Sequence, residues 1–113
     1  MTKTLIYLAT PYTHPDPVVV EWRFKTVNRV AARLMGEGLH IFSPISHTHP
    51  IATDAENPLP TGWEFWRDYD FAILSCCRAL YVLTLDGWQQ STGVTAEIKM
   101  AKELGIPVTF INS

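Results

Sequence analysis

Cysteine and basic residues are scarce in this chain of 113 residues. The two cysteines, Cys76 and Cys77, are adjacent, so a mutual disulfide would be strained and no second pair completes a zinc site. Nine lysines and arginines against eleven aspartates and glutamates give a formal net charge of −2. This balance lacks the basic surplus that binding to a nucleic-acid backbone requires. The sequence therefore favours a small-molecule ligand, and cysteines that are reduced and buried.

Long apolar runs are also missing. No stretch approaches the roughly 20 residues that cross a bilayer, and the N-terminus enters strand-like sequence without a signal-peptide pattern. Internal repeats, low-complexity tracts and linkers are absent, while a hydrophobic fraction of 47% is enough for one compact core. We therefore expect one domain over residues 1–113, soluble and cytoplasmic, with no membrane partner.

Short apolar runs alternate with helical periodicity along the chain. Strands are expected over residues 5–9, 39–42, 79–85 and 108–111, and helices over 18–35, 63–77 and from 91–93 to about 104. The proline-rich stretch 45–62 is expected to be a long loop that forms one wall of a binding site. The continuous apolar run 79–85 indicates a parallel strand that is covered on both faces. The pattern predicts an α/β fold, a flavodoxin- or Rossmann-like three-layer sandwich with a mainly parallel sheet.

The segment 86–97 carries the strongest chemical signal, because a strand ends there, a polar loop turns and a helix begins. Ligands in such sheets bind beyond the carboxyl ends of the strands, and free N–H groups at a helix start hold anions. Ser91, Thr92 and Gly93 could hold a phosphate or a sugar hydroxyl there. Glu97 would face the same crevice, where a lone carboxylate suits attack on a sugar carbon better than metal binding. By spacing alone, Glu97 could equally be a solvated helix residue.

The spacing Ser91-x-Gly93-x-x-x-Glu97, followed by a helix and the segment 104–108 (LGIPV), resembles the nucleoside 2-deoxyribosyltransferase superfamily, including its nucleotide N-hydrolase branch. The segment 6–12 (IYLATPY) resembles the opening strand of that superfamily. The resemblance implies cleavage or transfer of the N-glycosidic bond of a nucleoside or nucleoside 5′-monophosphate, without a cofactor. It also implies a homodimer or higher homo-oligomer, since relatives complete their sites across subunits.

Three catalytic roles follow from the resemblance. Glu97 is expected to be the covalent nucleophile, Tyr7 to orient it by a hydrogen bond, and Asp70 to be the second carboxylate. A departing base leaves oxocarbenium-like charge that a carboxylate can trap, as in retaining glycosidases, and a second carboxyl in a closed pocket can stay protonated and assist departure. Asp68 competes with Asp70 for this role. The assignment predicts both carboxyls on one pocket, with Tyr7 in hydrogen-bond reach of Glu97.

Substrate binding is expected at six further positions: Ala9, Pro11, Arg23, His47, Ser91 and Gly93. A 5′-phosphate would be bound by Ser91, by the N–H of Gly93 and by the Arg23 guanidinium, which adds charge-assisted hydrogen bonds. Without that role, Arg23 would be an ordinary surface arginine. Three tryptophans, Trp63, Trp66 and Trp88, are expected to be core or dimer-contact residues rather than stacking surfaces for a base; stacking is the alternative for Trp88, which lies beside the polar loop.

Two other classes of function compete with this one. An extended segment would put His47 and His49 on one side, where Asp54 could complete a zinc site, but no HExxH or cysteine partner is present, which favours pocket histidines without a metal. The family pattern is also altered, with Arg78 in place of the usual aspartate and Thr10 in place of a glycine. These departures fit an alternative, a non-catalytic module that binds or senses a nucleotide.

Overall fold

Across residues 2–113, which a computed structural model describes, four parallel strands form one sheet. The strands are β1 (Leu5–Ala9), β2 (His40–Phe42), β3 (Ala79–Leu83) and β4 (Val108–Ile111). Their order in the sheet is β2-β1-β3-β4. The predicted α/β fold with a parallel central sheet is therefore confirmed, although β3 ends two residues earlier than expected.

Four α-helices of the described residues flank this sheet. They are α1 (Pro17–Gly36), α2 (Pro44–Ala52), α3 (Trp63–Leu74) and α4 (Thr92–Leu104), and a single 3-10 turn spans Trp88–Gln90. Within residues 2–113 no helix combines the length and the apolarity that crossing a bilayer would need.

The prediction of a loop over 45–62 is wrong in its first half, which forms α2. The helix starts on a side-chain cap, because Ser43 Oγ accepts a hydrogen bond from the Ser46 N–H at 3.4 Å, and Pro44 takes the first helical position. Proline is well suited to that position, since its missing N–H has no intrahelical partner there. Only residues 53–62 connect α2 to α3 without a helix or strand.

Each face of the sheet packs against its own hydrophobic core. Successive side chains of β1 point to opposite faces, so they contribute alternately to the two cores. Ile6 and Leu8 pack into a cluster with α1 residues such as Val27. Tyr7 and Ala9 point to the opposite face, into a cluster that contains residues of α3 and α4. Tyr7 therefore reaches the space between α3 and α4, although it belongs to a central strand.

The neighbouring strands β1 and β3 form the point at which the strand order reverses. The chain passes from β1 through α1 to β2 on one side, and from β3 through α4 to β4 on the other. Open α/β sheets bind ligands in the crevice beyond the carboxyl ends of the strands at such a point. The segments that leave β1 and β3, residues 10–13 and 84–91, therefore border the expected binding crevice.

Candidate active site

A pocket of about 700 Å³ lies at this crevice. It is bordered by the end of β1, by α2, by the connection 53–62 and by the first turns of α3 and α4. Its size falls in the range of small-molecule sites. Four aromatic side chains form part of the lining: Tyr12, Trp63, Phe65 and Trp66.

Glu97 lies at this pocket as a buried carboxyl group, only 5% exposed. The Tyr7 side chain is fully buried, and its hydroxyl donates a hydrogen bond to Glu97 Oε2. Burial raises the pKa of Glu97 to about 8; the Tyr7 hydrogen bond opposes this rise, and the charge of Asp70 adds to it. Burial, with the negative charges of Glu97 and Asp70, also raises the pKa of Tyr7 well above its usual value. Tyr7 is therefore a hydrogen-bond donor at neutral pH.

Asp70 on α3 lines the same pocket and is 8% exposed. Burial raises the pKa of Asp70 to about 7, and hydrogen bonding from Tyr7 opposes the rise. Asp68 has a different environment, because its side chain is 95% exposed and pairs with Arg67 at 3.5 Å. Of the two candidate aspartates, the structure therefore brings Asp70 to Glu97 and leaves Asp68 in solvent.

The two carboxyl groups, Glu97 and Asp70, form an acidic pair whose protonation is coupled. The lining of their pocket, among residues 2–113, includes no lysine or arginine that would hold both groups ionised. Two carboxyls in such a site lose their protons in separate steps, so one proton remains on the pair over an intermediate pH range. With pKa values of about 7 and about 8, that range is near neutral pH. The site then presents one carboxylate and one carboxylic acid together. The higher pKa places the shared proton mainly on Glu97, and the form with ionised Glu97 and protonated Asp70 is the minor one of the two singly protonated forms.

The start of α4 forms another part of the pocket wall. Ser91 caps this helix, because its Oγ accepts a hydrogen bond from the Val94 N–H at 3.2 Å. The N–H groups of Thr92 and Gly93 lie in the first turn, where no intrahelical acceptor exists. A Cβ atom at Gly93 would lie 3.4 Å from Cε3 of Trp63. The glycine thus lets Trp63 pack closely against a helix start that can receive an anion.

The remaining predicted binding residues are distributed differently. Ala9 lines the pocket, whereas Pro11 is buried and is not part of the lining. Arg23 is also buried, and it lines a second pocket beside the first. His47 is exposed on α2, where its Nε2 is 3.1 Å from the Tyr69 hydroxyl. Within residues 2–113 His47 lines neither of these pockets.

The expectation that His47 and His49 project to one side is wrong, because α2 is helical and residues two apart diverge. His49 instead links the pocket wall to the surface: its Nδ1 is 2.5 Å from the Tyr12 hydroxyl and its Nε2 is 3.1 Å from Glu21 Oε2. Asp54 accepts hydrogen bonds from backbone N–H groups of its own turn. Among residues 2–113 no three histidine, cysteine or acidic side chains cluster as metal ligands would.

Sequence reasoning missed the aromatic wall. Trp63 and Trp66 were expected in the core or at a dimer contact, but both line the pocket. With Asp70 they follow the spacing i, i+3, i+7, which places all three on one face of α3, and this signal was available from sequence. Trp88 packs against the core, as expected, and against Phe110 with ring centroids 5.3 Å apart; it does not line the pocket, so the alternative of stacking on a base is not supported.

Fold and pocket together define an α/β protein with a parallel sheet and, at its strand-order reversal, a pocket that carries two buried carboxyl groups. The chain belongs to the family described as a domain of unknown function (DUF1937), which it matches over residues 4–113. No curated protein matches the sequence. The family description names no activity, so the resemblance to nucleoside 2-deoxyribosyltransferases stays a prediction.

Proposed function

We propose that this protein cleaves or transfers the N-glycosidic bond of a nucleoside or nucleoside 5′-monophosphate through a covalent intermediate on Glu97. The observation that carries the proposal is the arrangement of Glu97 and Asp70, two buried carboxyl groups on one pocket, with Tyr7 bonded to Glu97. Perturbed carboxyl groups in a pocket are frequent in acid–base and nucleophilic sites. The pocket holds both forms of carboxyl group that cleavage of a glycosidic bond requires.

The reactive form of the pair is the singly protonated one with its proton on Asp70. In the first step, an oxygen of the Glu97 carboxylate attacks the anomeric carbon of the sugar. The bond from that carbon to the base nitrogen breaks, and its electron pair leaves with the base, which receives the proton of the Asp70 carboxyl group. Tyr7 occupies Oε2 of Glu97, which leaves Oε1 as the attacking oxygen. The products are free base, a glycosyl ester on Glu97 and an ionised Asp70.

In the second step, the Asp70 carboxylate accepts a proton from a water molecule that attacks the anomeric carbon. The ester bond breaks, and its electron pair returns to Glu97 as carboxylate. In a transferase, the ring nitrogen of an incoming base replaces the water and gives its proton to Asp70. Both steps occur on opposite faces of the sugar carbon, so the configuration is retained.

The walls of the pocket suit the other parts of such a substrate. Trp63 and Trp66 offer apolar ring surfaces for a planar base. At the start of α4, the Ser91 hydroxyl and the first-turn N–H groups can hold a 5′-phosphate, because the helix dipole and unpaired N–H groups favour an anion. The anomeric carbon would then lie beside Glu97.

A homo-oligomer, implied by the family resemblance, is part of this proposal. Phe65 and Tyr69, four residues apart on one face of α3, are 49% and 44% exposed, and Phe65 also lines the pocket. A second copy of the chain seated on this face would shield the aromatic groups and narrow the pocket mouth. Light scattering should show a dimer or larger species that the substitution Tyr69→Lys dissociates; a wild-type monomer would contradict this part.

The proposal is tested by measuring free base released from a panel of nucleosides and their 5′-monophosphates, in the cytosolic pH range. Wild type should release base from at least one member, and Glu97→Gln should release none above background. Glu103→Gln is the matched control, since Glu103 lies exposed on the same helix. Specific binding without base release by any variant would favour the alternative, a nucleotide-binding module.

A further inference from the structure

A second pocket of about 520 Å³ adjoins the first. The two pockets share three lining residues, Thr13, Gln90 and Ser91. The second is bordered by one face of α1 and by residues of the loop after β3. A ligand whose phosphate lies at Ser91 would therefore have the second pocket directly beyond that phosphate.

Arg23 forms the charged part of this second pocket. It is 6% exposed, and its guanidinium donates to backbone carbonyls alone: Nη1 to Thr13 O at 3.1 Å and Nη2 to Asp86 O at 3.0 Å. Among residues 2–113 no carboxylate forms an ion pair with Arg23, and its buried Nε has no hydrogen-bond acceptor. A buried charge normally has a partner of opposite sign, so this guanidinium retains the capacity to bind an anion.

The rest of the lining adds an apolar surface. Trp22 lies next to Arg23 on α1 and is 50% exposed, and Val19 precedes it by almost one turn. An exposed indole beside an unpaired cation is suited to a ligand that carries both a planar group and negative charge. Asp86 also lines this pocket, and its side chain is exposed.

We infer that the second pocket binds a second phosphoryl group and what is attached to it, so that the preferred ligands are nucleotides with a 5′-diphosphate, including dinucleotides joined through it. This rests on the proposed function, which places the sugar beside Glu97 and the 5′-phosphate at Ser91. Arg23 then neutralises the second phosphate, and Trp22 covers a planar group beyond it. A monophosphate fills the first pocket and leaves Arg23 unpaired.

Calorimetry can test this inference by measuring dissociation constants in a Glu97→Gln background, which prevents turnover. The ligands are a nucleoside, its 5′-monophosphate, its 5′-diphosphate and the symmetrical dinucleoside diphosphate. The diphosphate should bind about tenfold or more tightly than the monophosphate, as a charge-assisted bond to a guanidinium provides. Arg23→Gln should abolish this difference and change monophosphate binding by less than about threefold. Arg29→Gln, an exposed arginine of the same helix, is the control and should preserve the preference.

Trp22→Ala keeps the test decisive if Arg23→Gln fails to fold, because Trp22 is half exposed. This substitution should weaken binding of the dinucleoside diphosphate and leave binding of the nucleoside 5′-diphosphate unchanged. Equal affinities for monophosphate and diphosphate when Arg23 is present would overturn the inference. So would an equal loss of affinity for the two ligands in Arg23→Gln. Diphosphate preference without base release would contradict the proposed catalysis alone, whereas base release without diphosphate preference would contradict the second pocket alone.

Discussion

The Tyr7 hydroxyl donates a hydrogen bond to Oε2 of Glu97, a residue 90 positions further along the chain. The contact exists because alternation along β1 turns Tyr7 toward α4, whose buried face includes Val94, Glu97 and Ala101. The bond stabilises the ionised form of Glu97 against the cost of burial. Tyr7 is thus a positioning residue that acts through the carboxylate.

Replacing Tyr7 by Phe should reveal this role in the pH dependence. Phenylalanine keeps the ring but removes the donor, so the pKa values of Asp70 and Glu97, which hydrogen bonding from Tyr7 lowers, should both rise. Both limbs of kcat/KM should therefore move to higher pH. A bond to a charged group supports a loss of about 10- to 100-fold at neutral pH. Tyr81→Phe, on the neighbouring strand but packed toward the α1 core, should leave the profile unchanged. A uniform loss at every pH would argue against the assigned role.

The acidic pair predicts a bell-shaped pH profile for the wild type. Activity needs one carboxyl ionised and the other protonated, so kcat/KM should be maximal between pH of about 7 and about 8, from the pKa values of Asp70 and Glu97. Asp70→Asn should lower the rate about 100-fold or more and remove the alkaline fall. The remaining acidic limb should follow Glu97 alone, at a pKa below about 8, since the charge of Asp70 that raises the pKa of Glu97 is gone. Asp68→Asn should match the wild type; an effect equal to that of Asp70→Asn would reject the assignment.

Glu97 should destabilise the folded protein at alkaline pH. Its pKa in the folded state, about 8, lies above the ordinary value of 4.5, so the folded state holds its proton more tightly than the unfolded state. Stability is then fully present below pH of about 4.5 and declines as the pH rises through about 8. From pH 5 to pH 8.5, the free energy of unfolding of wild type should therefore fall, relative to that of Glu97→Gln, by on the order of 3 kcal/mol.

Urea denaturation at the two pH values measures this difference. The amide is close in shape to the acid and can still accept the Tyr7 hydrogen bond, so packing is preserved. Glu103→Gln, on the exposed side of α4, should show no such difference from wild type. A Glu97→Gln variant with the same pH dependence as wild type would mean that Glu97 is ionised in the folded protein at pH 5.

Gly87 should be intolerant of a side chain because of Arg23. Its φ of 90° is unfavourable for other residues, and a Cβ there would lie 2.8 Å from Arg23 Nη2. Gly87→Ala should lower stability by about 1–2 kcal/mol through backbone strain, and should in addition displace the guanidinium and weaken diphosphate binding. Gly38→Ala isolates the strain, since Gly38 has φ 94° with no atom within 4 Å. If Gly87→Ala and Gly38→Ala bound the diphosphate with equal affinity, Gly87 would have no influence on the anion site.

Most of the sheet could be predicted from sequence because its signals are local. A short apolar run that ends before Pro11 identifies β1, one that begins after Pro107 identifies β4, and the long apolar run identifies β3. Helix α2 escaped prediction because prolines obscure its periodicity. Its side-chain cap, Ser43 followed by Pro44, was the available signal.

The site itself could be predicted only in part. Ser91, Gly93 and Glu97 share a continuous segment, so their common wall followed from local spacing. The choice between Asp68 and Asp70 depends on which face of α3 meets the sheet. Only the packing of the folded protein sets that face. The place of Arg23 depends on carbonyls of two distant loops, one of them 63 residues away at Asp86. Long-range contacts of this kind leave no pattern in a single sequence.

The covalent role of Glu97 is tested most directly by intact-mass spectrometry of wild-type protein that is quenched in acid while it turns over a panel of nucleosides and 5′-monophosphates. A substituent at C2 that withdraws electrons, such as fluorine, slows the oxocarbenium-like steps and lets the intermediate accumulate. If Glu97 is the nucleophile, wild type should release free base and carry an added glycosyl mass, which digestion of the quenched protein locates on the peptide that contains Glu97. Glu97→Gln should show neither. Base release without an adduct, or with an adduct on another residue, would contradict the covalent role of Glu97.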